Sequence, residues 1–263
     1  MKNSKSNFTI SPGKPLKKPF KYPDKNYFVN TGFYFAYKKV LNCGNFKRQQ
    51  VLEKVFISER IVEIPFMIKH LSVLPLAASV LDVGCMESPL PLMEAGLGFR
   101  VTGYDFREYP YVHPGMKFER GDICSMPFAD KAFDAVVCVS TIEHLGIGFY
   151  EDPDEIQEAD IRGIKEMRRV LKEGGRLILS APVGRKQITT HSRIYDIPSF
   201  QNLFRGFSIL EQKFFINTRP AQDVPNWWKE AAAAEIGHID DTSGSVVAVG
   251  MAAAVKDGSD GKD

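Results

Sequence analysis

Val80-Leu81-Asp82-Val83-Gly84-Cys85-Met86-Glu87-Ser88-Pro89 decides how this chain is read. The small and apolar residues 78–81 run into an acid and a glycine, as a buried parallel strand does when it ends in a tight turn. Behind the turn, Ser88 can cap a helix over about 88–96. Pro89 suits its first position, where no backbone N–H is needed. A strand, a glycine turn and a helix in that order hold a ligand at a helix N-terminus beyond the carboxyl edge of a sheet. Asp105 follows Gly84 by 21 residues, at the end of a second apolar stretch. A carboxylate there can accept hydrogen bonds from a ribose diol. Met86 stands where G-x-G-x-x-G has its second glycine, so a pyrophosphate has no close path to the backbone.

Downstream, strands and helices alternate. Strand two is read over 99–104, and a brief third over 117–120 ends at Gly121-Asp122-Ile123. Residues 133–140 form a near-continuous apolar run, which implies a fourth strand buried on both faces. Ile161, Ile164, Met167, Val170 and Leu171 fall on one stripe of a helix over 158–171. Lys172-Glu173-Gly174-Gly175 stops it. A fifth strand follows over 176–181. Asp196 caps a helix that carries Pro198 in its first turn, and strands over 207–216 and 245–255 finish the pattern. The connection 217–244 is irregular, with a short helix near 227–234. Upstream, 46–60 and 61–74 read as helices, and Pro65 starts or kinks the second. The aromatic-rich stretch 27–41 reads as a short helix or a lid against the core.

Composition is that of an ordinary globular chain: 263 residues, 44% hydrophobic, 25% charged, net charge +2. No run of 18 apolar residues exists, so no membrane span is expected. The charge is uneven. Residues 1–30 hold seven lysines and one aspartate, a net +6 that leaves −4 for the remainder. That basic stretch reads as a solvated tail rather than a nucleic-acid arm. Cys43, Cys85, Cys124 and Cys138 are scattered and form no C-x-x-C pair, so neither disulfides nor zinc is expected. Free thiols suit a cytoplasmic location, and the N-terminus lacks the apolar region of a signal peptide.

Four pieces in order carry a resemblance: Leu81-Asp82-Val83-Gly84-Cys85, then Gly103-Tyr104-Asp105, then Gly121-Asp122-Ile123. The fourth is the strand ending in Ser140-Thr141-Ile142-Glu143-His144, with the later Arg168-Arg169-Val170-Leu171-Lys172-Glu173-Gly174-Gly175. Together they resemble the class I S-adenosylmethionine-dependent methyltransferases, closest to small-molecule and sugar O-methyltransferases. The resemblance implies an α/β, Rossmann-like fold with helices on both faces. Its sheet has seven mostly parallel strands in order 3-2-1-4-5-7-6, the last antiparallel. Composition and pattern set off a basic tail (1–26), a helical or lid segment (27–74) and a polar tail (257–263), and the resemblance implies a methyltransferase domain (75–256) with an insertion (217–244) in the final hairpin.

The same resemblance implies a cofactor, S-adenosyl-L-methionine, held by Asp82, Gly84, Cys85, Met86, Asp105, Asp122, Ile123 and Ser140. Asp82 would engage its ammonium and Asp105 its ribose. Asp122 would meet the adenine amine, with Ile123 on a ring face. Glu143 and His144 follow the fourth strand at the expected reaction mouth. Imidazole, with an unperturbed pKa of about 6.5, suits removal of a hydroxyl proton. Tyr150, Arg193 and Tyr195 are candidates for holding the acceptor, a small polar molecule, most simply a sugar of surface polysaccharide assembly. No metal ligand set and no nucleic-acid partner are expected. RNA or protein methylation and NAD-dependent oxidation are the competing readings. The interrupted glycine series speaks against the last, and the lack of a motif for a flipped nucleobase amine against the first.

Overall fold

The computed structural model describes residues 59–148, 158–218, 228–240 and 246–258. The readings made for 1–58 lie outside them.

Helix α1 (Arg60–Leu71) precedes strand β1 (Ser79–Val83), and a 3-10 turn at Cys85–Glu87 leads to α2 (Leu90–Gly96). Strands β2 (Arg100–Asp105), β3 (Met116–Arg120) and β4 (Phe133–Val139) follow, then a 3-10 turn at Ile142–His144 and helix α3 (Ala159–Val170). The remainder is β5 (Leu171–Pro182), a hairpin of β6 (Gln187–Ile188) and β7 (Arg193–Ile194), α4 (Ile197–Asn202), β8 (Phe207–Asn217), β9 (Trp228–Ala231), α5 (Ala233–Ile236) and β10 (Ala248–Lys256).

The main sheet runs β3-β2-β1-β4-β5-β10-β8-β9. Its first five members are parallel, and β10 pairs antiparallel with both β5 and β8. The expectation of seven strands is corrected to eight. The eighth, β9, comes from the connection read as helical near 227–234, and it pairs Phe214–Asn217 of β8 with Trp228–Ala231. Helix α5 starts only at Ala233. An edge of β8 with unpaired backbone groups is a template for another strand, and this local pairing overrides the helix propensity of the alanines. The β6–β7 hairpin was also not foreseen, being two residues per strand.

Side-chain alternation sorts the core into two layers. Leu81, Val83, Val136, Cys138, Leu177 and Leu179 face one way, under Ile164, Met167 and Val170 of α3. Val80, Ala135, Val137 and Ile178 face the other way, under Ile64, Phe66, Met67 and Leu71 of α1 and Leu90 and Ala95 of α2. Asp82 has the parity of Val80. That parity turns it toward the α1 and α2 layer, which decides its neighbours.

Helix boundaries shift for local reasons. Pro89 occupies the cap position of α2 rather than the first turn, and Ser88 Oγ accepts the Leu90 N–H at 3.1 Å. β5 begins at Leu171, so the glycines 174–175 lie within the strand and not before it. Asp196 caps α4 as expected, taking the Ser199 N–H at 2.8 Å.

Candidate functional site

Parallel pairing aligns the carboxyl ends of β1, β2 and β4. Val83 is level with Tyr104 and with Cys138, so Gly84, Asp105 and Ser140 come to one edge of the sheet. Gly84 has φ +73°, and a Cβ there would run into the Thr141 side chain. Thr141 Oγ1 in turn donates to Val139 O at 3.0 Å. The turn and the segment after β4 are therefore packed directly on one another, and only glycine fits between them.

Asp105 is buried. Its Oδ2 accepts the Met86 N–H at 3.0 Å, and its Oδ1 accepts the Arg107 N–H at 2.9 Å. Each carboxylate oxygen keeps further acceptor capacity. Asp122 is exposed, and its Oδ1 takes the Cys124 N–H at 2.8 Å. Ile123 is buried in the α3 layer. Cys85 is fully buried, and burial pushes its thiol up, out of reach of ionisation.

Asp82 is 2% exposed, and its Oδ2 has no hydrogen-bond partner. Burial holds its carboxyl well above the usual carboxylate range; Arg60 opposes that shift and Asp105 adds to it. Sequence reasoning missed two of its neighbours. Glu94 of α2 is fully buried with neither carboxylate oxygen partnered, and burial, together with Asp82, raises its pKa well above normal. Arg60 of α1 lies against Glu63 at 2.5 Å. Burial works against its charge, but Glu63, Glu59 and Glu143 outweigh that and keep the guanidinium protonated. A signal did exist. Glu63 and Glu94 sit in the apolar stripes of their helices, next to Ile64 and Ala95.

Ser140 has φ +41°, a strained value for a residue with a side chain. Its N–H donates to Ser180 Oγ at 3.1 Å and its hydroxyl to Glu63 Oε1 at 2.6 Å. Glu143 is 2% exposed, its Oε2 has no partner, and burial raises its pKa to about 8. His144 Nδ1 lies 2.6 Å from the His191 carbonyl oxygen, in the turn of the β6–β7 hairpin. A carbonyl only accepts, so Nδ1 carries the hydrogen and Nε2 holds the lone pair of the neutral ring. Nε2 stands 3.7 Å from Glu143 Oε1. Burial lowers the imidazole pKa from its usual 6.5.

Tyr195 and Arg193 come together at the start of α3. Tyr195 donates its hydroxyl to Asp160 Oδ2 at 2.9 Å, and Arg193 reaches the same oxygen at 3.4 Å. Tyr150 lies outside the described residues. Among the described residues, no three His, Cys, Asp or Glu side chains stand together as a metal ion needs, and no helix is long and apolar enough to cross a membrane.

An acid two residues before a glycine turn and a second acid closing the next strand, both at the carboxyl edge of a Rossmann-like sheet, are placed as in α/β folds that take nucleoside ligands. Comparisons narrow that class. The methyltransferase-domain family matches residues 81–179. A sterol 24-C-methyltransferase of Gibberella zeae is 33% identical over 109 residues, covering 36% of this chain and 25% of that protein. A demethylmenaquinone methyltransferase of Deinococcus radiodurans is 41% identical over 64 residues, covering 24% of this chain and 22% of that one. These matches span well under two thirds of the relatives' lengths. The solved 1,6-didemethyltoxoflavin-N1-methyltransferase of Burkholderia thailandensis superposes with a TM-score of 0.54 at 14% identity, covering 93% of this chain and 94% of that one, a likeness of fold. Residues 81–179 thus resemble the methyltransferase domain of the class I S-adenosylmethionine-dependent enzymes, a class whose cofactor is S-adenosyl-L-methionine.

The residues present fit that cofactor. Asp82 Oδ2 is a buried acceptor lacking a donor, suited to an ammonium. Asp105 has acceptor capacity for a diol.

Proposed function

We propose that this chain transfers the methyl group of S-adenosyl-L-methionine to a hydroxyl of a small polar molecule, a sugar or glycan precursor, in the cytoplasm. The observation that carries this reading is the hydrogen bond from His144 Nδ1 to the His191 carbonyl, which leaves Nε2 as the proton-accepting atom beyond the end of β4. Oxygen acceptors benefit from a base, whereas an acceptor that is already a nucleophile does not need one.

Asp82, Gly84, Cys85, Met86, Asp105, Asp122, Ile123 and Ser140 form the cofactor site in this reading, within a methyltransferase domain over 75–256. When bound, the cofactor supplies a methyl carbon on a positively charged sulfur that leaves as a neutral thioether. His144 Nε2 takes the acceptor's hydroxyl proton as the oxygen bonds to that carbon. The lowered pKa keeps His144 neutral and ready at pH 7. Glu143, protonated at neutral pH with its pKa near 8, keeps a second charge out of the mouth. Orientation of the acceptor against the methyl carbon supplies much of the remaining rate. Arg193 and Tyr195, fixed on Asp160, line the acceptor side.

The test is methyl transfer by the whole chain to a panel of saccharides, phenols, quinols, sterols, short RNA and peptides, read as S-adenosylhomocysteine formed. Saccharides should give the highest kcat/KM. A far higher value for RNA, protein, or a lipid-like acceptor such as the relatives' names describe would overturn the acceptor assignment.

A further inference from the structure

A cavity of about 920 Å³ lies beside the reaction mouth, within the size range of small-molecule sites. One wall is the β6–β7 hairpin with the turn before it, giving Lys186, Ile188, Thr189, Thr190 and Arg193. Facing segments include Gly146 and Ile147, two and three residues after His144, the start of α3 and the α4 residues Ser199 and Asn202. The hairpin that forms the wall also holds the His144 ring through the His191 carbonyl. Cavity and base are thus built from the same two segments.

Charge in the cavity is not evenly spent. Arg193 and the Tyr195 hydroxyl are both committed to Asp160. Arg185, next along the chain, pairs with Asp240 at 2.9 Å. Asp196, held below the usual carboxylate range by the Ser199 hydroxyl first and by the nearby Lys186 charge among lesser causes, accepts the Ser199 N–H as the cap of α4. Lys186 is exposed and lines the cavity, and among the described residues no salt bridge involves it. Glu158, on the α3 side, likewise has no ion pair there. Hydroxyls of Thr189, Thr190 and Ser199 and the Asn202 amide stand between apolar surfaces of Ile161, Ile188 and Leu203.

We propose that this cavity is the acceptor site and that it takes a polyol bearing one phosphate or carboxylate group. Lys186 meets the anion, Glu158 accepts hydrogen bonds from hydroxyls, and the isoleucines cover the apolar faces of the ring. The inference rests on the methyl-transfer reading for the reaction itself and adds the substrate's charge. An ammonium held in no salt bridge at a cavity wall favours an anionic ligand, to which it adds Coulomb attraction, over a neutral one, to which it offers hydrogen bonds alone.

Two measurements on the full chain test it, with glucose, glucose 6-phosphate and glucuronate as probes. Saturation-transfer NMR reads binding, and S-adenosylhomocysteine formation reads transfer. Wild type should bind at least one anionic probe at least tenfold more tightly than glucose. Lys186→Ala should bring that ratio close to one, and Lys186→Arg should keep most of it. The phosphate and carboxylate arms tell which anion is read. Binding that depends on Lys186 without any methyl transfer supports the site and overturns the reaction. Transfer to sugars with no anionic preference, or with a preference that survives Lys186→Ala, overturns the site and leaves the reaction standing. No binding by any probe overturns the site as well.

Discussion

The hydroxyl of Ser140 donates a 2.6 Å hydrogen bond to Oε1 of Glu63, 77 residues upstream. Ser140 is the first residue after β4 and is held at φ +41°. Glu63 is fully buried in α1, with its other oxygen on Arg60. A helix preceding the sheet therefore sets the conformation of the segment that carries Thr141, Glu143 and His144. Ser140→Ala leaves a buried carboxylate oxygen without its donor, and should cost about 1–3 kcal/mol in urea unfolding. Glu63→Gln should cost a similar amount. The double variant should lose clearly less than the sum, because the two side chains share one bond. Full additivity would mean the contact carries no energy.

His144→Gln should lower kcat about 100-fold to 10,000-fold while cofactor affinity stays within a few-fold. Glutamine can still bond the His191 carbonyl but cannot take a proton. The pH profile gives the second reading. A base must be neutral, and burial lowers the imidazole pKa, so the acid limb of kcat/KM in wild type should fall below 6.5. That limb should vanish in the variant. An unchanged profile with near-normal turnover would remove His144 from the chemistry.

Glu143 should make stability depend on pH in an unusual direction. Its folded pKa, about 8, lies above the ordinary carboxyl value. The unfolded chain releases its proton first, so stability should fall as pH rises from about 4.5 toward 8 and level off above that. Glu143→Gln mimics the protonated form and should flatten this part of the curve, gaining on the order of a few kcal/mol near pH 8. Unfolding curves at a series of pH values measure it, and an identical slope in variant and wild type would refute it.

Asp82→Asn should separate stability from binding. Removing a buried carboxyl with an unpartnered oxygen should leave the melting temperature of the ligand-free protein equal or higher. Losing the acceptor for an ammonium should weaken S-adenosylmethionine binding by about 1.5–3 kcal/mol, roughly tenfold or more. Calorimetry and thermal melts on the same sample check both halves. Retained affinity with a lowered melting temperature would make Asp82 a purely structural acid.

Gly84→Ala meets two obstacles, a left-handed backbone and the Thr141 side chain. It should destabilise by about 2–4 kcal/mol, of which the backbone contributes roughly 1–3. Adding Thr141→Ala should recover the steric part alone. Wild-type stability for Gly84→Ala would mean that the turn can adopt another path.

The amino-acid sequence by itself determined the parallel core and its carboxyl edge. Val80 to Val83 and the run 133–139 are near-continuous apolar stretches, and Gly84 and Ser140 follow them; these are local properties of neighbouring residues. Asp105 and Gly84 were legible for the same reason. Tertiary structure alone decided what faces those residues. Arg60, Glu63 and Glu94 gather around Asp82 and Ser140 because strand parity turns Asp82 toward the layer where α1 and α2 pack. β9 forms because an open edge of β8 is within reach, whatever the helix propensity of its own residues. The proton-accepting nitrogen of His144 is set by a carbonyl 47 residues away, a contact that exists only once the hairpin has folded back over the end of β4.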